Sequence, residues 1–208
     1  MMLKAISILL LSGGLDSATL LWEMKGMDEI VAITAKYGDS NTREVAAAES
    51  LAKLAGVKRH ITVDLGFLRE VSEAGNGSVP AGVPPTYIPS RNLILFGIAA
   101  HYAELIGARR IMTGHIFSDK FPDSGEAFID IVNEALLAGT FLRAEGGQII
   151  SAPYLSLTKK EVARKAIDLG VPIGLTWSCY LNGESPCGIC GGCRESEESL
   201  ESVMRGTV

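Results

Sequence analysis

No cysteine stands before residue 179, and all four then fall within residues 179–193. A disulfide framework spreads its cysteines over the chain that it staples, so this clustering points instead to a local metal site in a reducing compartment. Long apolar runs are also missing. The longest, residues 5–11 (broken at Ser7) and 93–100, fall well short of the ~20 residues a membrane span needs. Basic charge is in deficit: Lys plus Arg is 19 against 24 for Asp plus Glu, a net charge of −5. A protein that lives on a phosphate backbone needs a basic face, and this balance argues against one. Aromatics are only 6% of the chain, but 47% of it is hydrophobic, which excludes disorder. At 208 residues the chain can bury one real core but not two full-sized ones.

The N-terminal apolar stretch, residues 4–11, leads straight into Gly13-Gly14-Leu15-Asp16 without a small-residue cleavage pattern. It reads as a first buried strand rather than a signal peptide, and a cytoplasmic location is expected. Residues 16–25 then show helical spacing, with Gly26 as the stop. Residues 29–35 read as a strand and 42–55 as an Ala-rich helix, with Thr42 as N-cap and Gly56 at its C-terminus. Residues 58–63 read as a third strand. Further helices are expected at 92–105, 128–137 and 158–169, and a strand at 110–113. This alternation predicts an α/β fold, a parallel sheet with helices on both faces. Residues 65–90, with four of the eight prolines, are expected to form a loop over the sheet edge. The tail beyond Cys193, with four acidic residues between 195 and 201, reads as a solvated helix.

The most informative segment is Leu11-Ser12-Gly13-Gly14-Leu15-Asp16-Ser17, at the junction of the first strand and helix. Two glycines let the backbone turn sharply and approach a ligand. The unpaired N–H groups of the helix's first turn, with its dipole behind them, make an anion site. Ser12 and Ser17 can add hydroxyl donors. Asp16 is out of place in an anion site and suggests a nearby magnesium ion or a nucleophile's proton. The segment lacks the Gly-Lys-Ser/Thr of a Walker loop and is no dinucleotide fingerprint.

Cys179, Cys187, Cys190 and Cys193 have the spacing C-x7-C-x2-C-x2-C. Four soft thiolates at this spacing suit a closed tetrahedral zinc site, and an iron–sulfur cluster is the rival.

Ser-Gly-Gly-Leu-Asp-Ser resembles the pyrophosphate-binding loop of the ATP pyrophosphatases (PP-loop enzymes). The resemblance implies an adenine-nucleotide alpha-hydrolase-like sheet over residues 1–175, and ATP held by Leu11, Ser12, Gly13, Gly14, Leu15, Asp16, Ser17, Ala18 and Thr19. With the four-cysteine knuckle in 176–208, the chain is similar to the 7-cyano-7-deazaguanine synthases, the QueC-type enzymes of queuosine biosynthesis. Ala32-Ile33-Thr34-Ala35-Lys36-Tyr37-Gly38, Tyr87-Ile88-Pro89-Ser90-Arg91-Asn92, Ile111-Met112-Thr113-Gly114 and Thr176-Trp177-Ser178-Cys179-Tyr180 carry the likeness further. What it implies is a ligase that adenylates 7-carboxy-7-deazaguanine with ATP and Mg2+, takes up ammonia and ends at the nitrile. A structural Zn2+, a homodimer and no nucleic-acid partner go with it.

Asp16, Ser17 and Arg91 are the candidate catalytic residues. Arg91 suits phosphate or the substrate carboxylate because its planar fork matches either. On the substrate side, Tyr87 and Phe121 can stack on the base or belong to the core. Asn92 can contact substrate or cap the helix, Asp123 can read the base edge or make a turn, and Gly114 and His115 lie at a strand's C-terminal end. The chain departs from the family pattern at Asp39-Ser40-Asn41, where Gln, a basic residue and His are usual. It has Ser90 in place of a glycine, and a shortened segment from Asp119 to Phe128. These departures make an enzyme that stops at the amide, or passes the acyl group to another amine, the closest rival. A tRNA-thiolating enzyme and a non-catalytic nucleotide-binding module stand further off.

Overall fold

The computed structural model describes residues 4–68, 87–117, 121–143 and 148–206. Most of the loop expected at 65–90 therefore lies outside the described residues, as do Asp119 and Lys120. Along the described chain run β1 (Ile6–Leu10), α1 (Leu15–Met24), β2 (Glu29–Lys36), α2 (Thr42–Ala55) and β3 (Arg59–Asp64). These are followed by α3 (Arg91–Ile106), β4 (Arg110–Met112), α4 (Glu126–Gly139), β5 (Ile150–Ser151), α5 (Lys159–Asp168) and α6 (Gly191–Arg205).

All pairings in the sheet are parallel, in the order β3-β2-β1-β4-β5. β1 is central and its side chains alternate between two cores. Leu9, with Ile30 and Ala32 of β2, joins the cluster under α1, α2 and α5. Ile8, with Val31, Ile33 and Ile111, joins the cluster under α3 and α4. Helices thus cover both faces, as the unbroken Ile/Leu/Val character of these strands requires. Strand order reverses between β1 and β4, and such switch points open a crevice at the strands' C-terminal ends.

Local sequence explains most of the boundaries. α2 is rich in alanine, the best helix former, and stops at Gly56, whose φ of 73° is left-handed backbone that glycine accepts without a Cβ penalty. α5 begins with a reciprocal cap, the Thr158 hydroxyl accepting from Glu161 N and the Glu161 carboxylate accepting from Thr158 N.

Three expectations need correction. The N-cap of α2 is Asn41, not Thr42, and the Asn41 side chain turns back to accept from Tyr37 N and to donate to Ala35 O. Asn92 does not cap α3. It sits inside the first turn, where its own N–H donates to the Asp123 carboxylate (2.9 Å) and its amide to Asp123 O (2.8 Å). An anion from a neighbouring loop thus satisfies that helix end. α6 is not merely a solvated helix. It starts before Cys193 and turns Cys193, Ser199 and Val203 inward, with Val203 joining Val162, Ala163 and Ala166 of α5 in the core.

Candidate functional site

At the switch point, the phosphate-type loop is held from three sides. Leu11 N donates to Ile33 O, and the buried Thr34 hydroxyl donates to Leu11 O at 2.6 Å. Gly13 has φ +88°, and a Cβ on it would lie 2.3 Å from the carbonyl oxygen of Glu44 in α2. Only glycine fits there. Gly114, after β4, packs so closely on α1 that a Cβ would stand 3.1 Å from Ser17 N. Within the loop, Ser12 Oγ lies 3.0 Å from Ser17 Oγ and accepts from Gly14 N, while Ser17 Oγ donates to Gly14 O. Gly14 is the N-cap of α1 with no side-chain cap, which leaves the helix's first N–H groups facing the crevice.

The loop opens into a cavity of about 410 Å³. Of the residues singled out from the sequence, Leu11, Ser12, Gly14, Leu15, Asp16 and Ser17 line it. So do Arg91, Asn92, Gly114, His115 and Phe121. Ala18 and Thr19 are fully buried on the core side of α1, and the Thr19 hydroxyl is spent on Leu15 O. Tyr87 stacks on Phe121, with ring centroids 5.6 Å apart, and the Arg91 guanidinium lies 6.0 Å from the Phe121 ring. Asp123 is buried under α3, its carboxylate committed to that helix. Ser90, where a glycine was expected, holds φ 56°, the one left-handed non-glycine among the described residues. Ser90 is the N-cap of α3, and Arg91 is the first residue of that helix.

His115 Nδ1 lies 2.8 Å from the Thr113 hydroxyl. Burial, with the Arg91 guanidinium nearby, pushes its pKa down to about 4, so it is neutral at pH 7. Lys159, at the start of α5, places Nζ 2.6 Å from Asp16 Oδ2. Sequence reasoning passed over Lys159, and also Tyr37, Glu44 and Glu195, which share the cavity. A larger cavity of about 650 Å³ lies beside β5 and the start of α4, but its described lining offers carboxylates and hydroxyls without a cation.

The cysteine knuckle forms the opposite rim. The four Sγ atoms lie within 4.8 Å of one another, with Cys187 to Cys193 at 3.9 Å and Cys190 to Cys179 at 4.0 Å. Four thiolates on one tetrahedral ion at ~2.3 Å stand about 3.8 Å apart, so the donors fit a single metal ion. Backbone N–H groups point at the sulfurs: Leu181 and Cys187 at Cys179, Cys190 at Cys187, and Cys193 at Cys190. The N–H groups of Ile189 and Cys190 hold the Cys187 thiol down at about 6. Burial pushes Cys193 up to about 12. A Cβ on Gly192, in the first turn of α6, would lie 2.0 Å from Ser178 O, so this close approach requires glycine.

The knuckle is fastened to the serine–glycine loop and to the start of α2. Trp177 N donates to Gly13 O at 2.9 Å, Asn182 Nδ2 donates to Asp39 O, and Arg43 N donates to Asn182 Oδ1.

An open parallel sheet of this order, with a serine–glycine loop at its switch point, defines the PP-loop class of α/β proteins. A solved structure of the U34-tRNA thiolase NcsA from Methanococcus maripaludis, with its [4Fe-4S] cluster, shares the fold. Its TM-score is 0.56 at 14% identity, over 98% of this chain and 70% of that one. Within that class the chain belongs to the family of the queuosine biosynthesis protein QueC, whose model matches residues 6–204. It is 39% identical over 199 residues to the 7-cyano-7-deazaguanine synthase of Thermoplasma acidophilum, covering 90% of this chain and 84% of that protein. It is 37% identical over 211 residues to the one from Aquifex aeolicus, covering 95% and 97%.

Proposed function

We propose that this chain is a 7-cyano-7-deazaguanine synthase, an ATP-dependent ligase that converts 7-carboxy-7-deazaguanine and ammonia to the nitrile. One observation carries the reading: the phosphate loop, Arg91 and His115 share a single cavity, beside family relatives of that name. The carboxylate is a poor electrophile because its leaving group would be an oxide. Attack of a carboxylate oxygen on the α-phosphorus of ATP releases pyrophosphate and gives an acyl adenylate. Ammonia displaces AMP to form the amide. The amide oxygen is adenylated by a second ATP, and loss of AMP and a proton leaves the nitrile.

The chain's own groups fit these steps. The N–H groups at the start of α1 and the Ser12 and Ser17 hydroxyls receive phosphate oxygens. Asp16, a hard oxygen donor in the loop, would hold Mg2+ together with the phosphates, and the ion supplies charge neutralisation. Arg91 grips the substrate carboxylate or the α-phosphate. Neutral His115 can accept a hydrogen bond from the incoming ammonia. Phe121 offers a flat face to the base, backed by Tyr87.

For the knuckle the reading is Zn2+ in segment 176–208, since a cubane would put iron and sulfide between the thiolates and spread them further than 4.8 Å. Exposed Leu105, Ile131 and Phe141 on and after α3 and α4 support a homodimer. None of the helices among the described residues is long and apolar enough to cross a membrane, in keeping with a cytoplasmic enzyme.

The test is to incubate the zinc-replete protein with ATP, magnesium, 7-carboxy-7-deazaguanine and ammonia, and to follow the base by mass spectrometry alongside pyrophosphate release. A nitrile with AMP formed is expected. An amide that goes no further would overturn the nitrile in favour of the diverged enzyme, and no AMP would overturn the substrate.

A further inference from the structure

His60 lies on the edge strand β3, in register with Ala32 of β2 and on the sheet face that α1 and α2 cover. Its Nε2 stands 2.7 Å from the Thr34 hydroxyl oxygen, and that oxygen stands 2.6 Å from Leu11 O, where the serine–glycine loop begins. Hydrogen accounting fixes the direction of both bonds. A carbonyl oxygen only accepts, so the single hydroxyl hydrogen of Thr34 lies toward Leu11 O. Thr34 then has nothing left to give, and His60 must carry a hydrogen on Nε2 and donate it. Burial lowers the His60 pKa below 6.5, against the pull of Glu49. Above about pH 7 the ring therefore holds one hydrogen, and this bond decides which nitrogen has it.

The line of bonds continues past Leu11. Leu11 O and Ser12 N belong to one planar peptide, so a carbonyl held in place also aims the N–H. Ser12 N donates to Ser17 Oγ at 3.2 Å, and Ser17 Oγ donates in turn to Gly14 O. With the Ser17 hydrogen used there, Ser12 donates across the 3.0 Å contact between the two hydroxyls. Hydrogen bonds thus run unbroken from the sheet edge to both hydroxyls of the loop. Thr34 is 1% exposed, so bulk water does not replace His60 as its donor.

We infer that His60 is a positioning residue for the serine–glycine loop. Its Nε2–H holds the Thr34 hydroxyl in the rotamer that donates to Leu11 O, and through that peptide it sets Ser12 and Ser17 for phosphate oxygens. His60 does not line the cavity, and it acts through Thr34. The inference rests on the nucleotide half of the proposed function and not on the identity of the base.

The test is calorimetric binding of inorganic pyrophosphate with magnesium to the zinc-replete full chain. Wild type, His60→Phe, His60→Gln, Thr34→Val and the His60→Phe, Thr34→Val double variant are compared, with a thermal melt of each. His60→Phe keeps a flat ring but loses the donor, and should weaken pyrophosphate binding about fivefold or more. His60→Gln keeps an N–H donor and should stay within about twofold of wild type. Thr34→Val should weaken binding at least as much as His60→Phe, and the double variant should be no weaker than Thr34→Val alone. In nitrogen NMR of the wild type above about pH 7, the imidazole signal that His60→Gln removes should be that of a ring protonated on Nε2.

Wild-type affinity in a folded His60→Phe protein would overturn the inference and leave His60 a purely structural group. So would a double variant in which the two losses simply add, since His60 would then act by another route. The tautomer is read on the wild type, so it decides even where His60→Phe does not fold, and a hydrogen on Nδ1 overturns the inference. Pyrophosphate binding with the expected pattern, but no turnover of the deazaguanine, would sink the substrate and leave His60 standing. A wild-type chain that binds no pyrophosphate would sink the nucleotide reading and the role of His60 with it.

Discussion

Two carboxylate–cation pairs sit at opposite ends of the same sheet and are built differently. At the N-terminal end of the strands, Asp28 Oδ2 receives Arg110 Nε at 3.1 Å, Arg110 Nη2 at 2.5 Å and the Ser7 hydroxyl. The Asp28 side chain is 7% exposed, and the guanidinium fork ties β1, the approach to β2 and β4 into one corner. At the C-terminal end, Asp16 meets Lys159 through one ammonium contact at the edge of a cavity. A fork that grips one oxygen twice is a fixture. A point charge on a flexible stem can be redirected. On the proposed function, the same charge types thus serve stability at one end of the sheet and chemistry at the other.

Asp16→Ala should break the comparison hardest. Its pyrophosphate-release kcat is expected to fall about 1,000-fold with little change in melting temperature, as measured by a coupled assay beside calorimetry. Next comes a pH effect at the same end. The His115 pKa is lowered from 6.5 to about 4, so between these values the unfolded chain binds the extra proton. Stability is full above pH 6.5 and is lost as pH falls to about 4, by about 3 kcal/mol. Denaturation from pH 7 to 4 should show that slope, and His115→Gln should flatten it. Smaller still is Asp28→Asn, which leaves the Arg110 fork without its anion. It should cost about 2 kcal/mol, or several degrees in melting temperature, with kcat within about twofold of wild type. Last is the exposed Lys58–Glu29 pair at the same edge of the sheet. Lys58→Ala should change stability by under about 0.5 kcal/mol in urea titration.

What could be read from the sequence was what is local in the sequence. α2 begins and ends where composition and Gly56 put it, and β1 to β3 follow from short apolar runs bounded by turn residues. The serine–glycine loop and the four cysteines each fall within a short stretch of chain, so the sequence alone brings their residues together. What escaped was decided by pairing across the fold. β5 is two residues long and exists because Ile150 and Ser151 lie beside Ile111 and Met112. Lys159 looks like any lysine at a helix start until α5 is laid against α1. Asn92 has a cap-forming side chain, yet Asp123 occupies that role from another loop. Of the departures from the family pattern, Asn41 now has an account, since its amide closes the turn after β2. Ser90 keeps a backbone conformation that glycine would hold at lower cost.

The bond from Trp177 N to Gly13 O has a consequence for how the protein is made. Gly13 leaves the ribosome roughly 160 residues before its partner does, an interval on the order of ten seconds or more. Through that time the loop lacks the strap that the cysteine knuckle carries to it. The turn at Gly13 is therefore completed only after most of the chain has been made, so the first loop of the fold is among the last to be fastened.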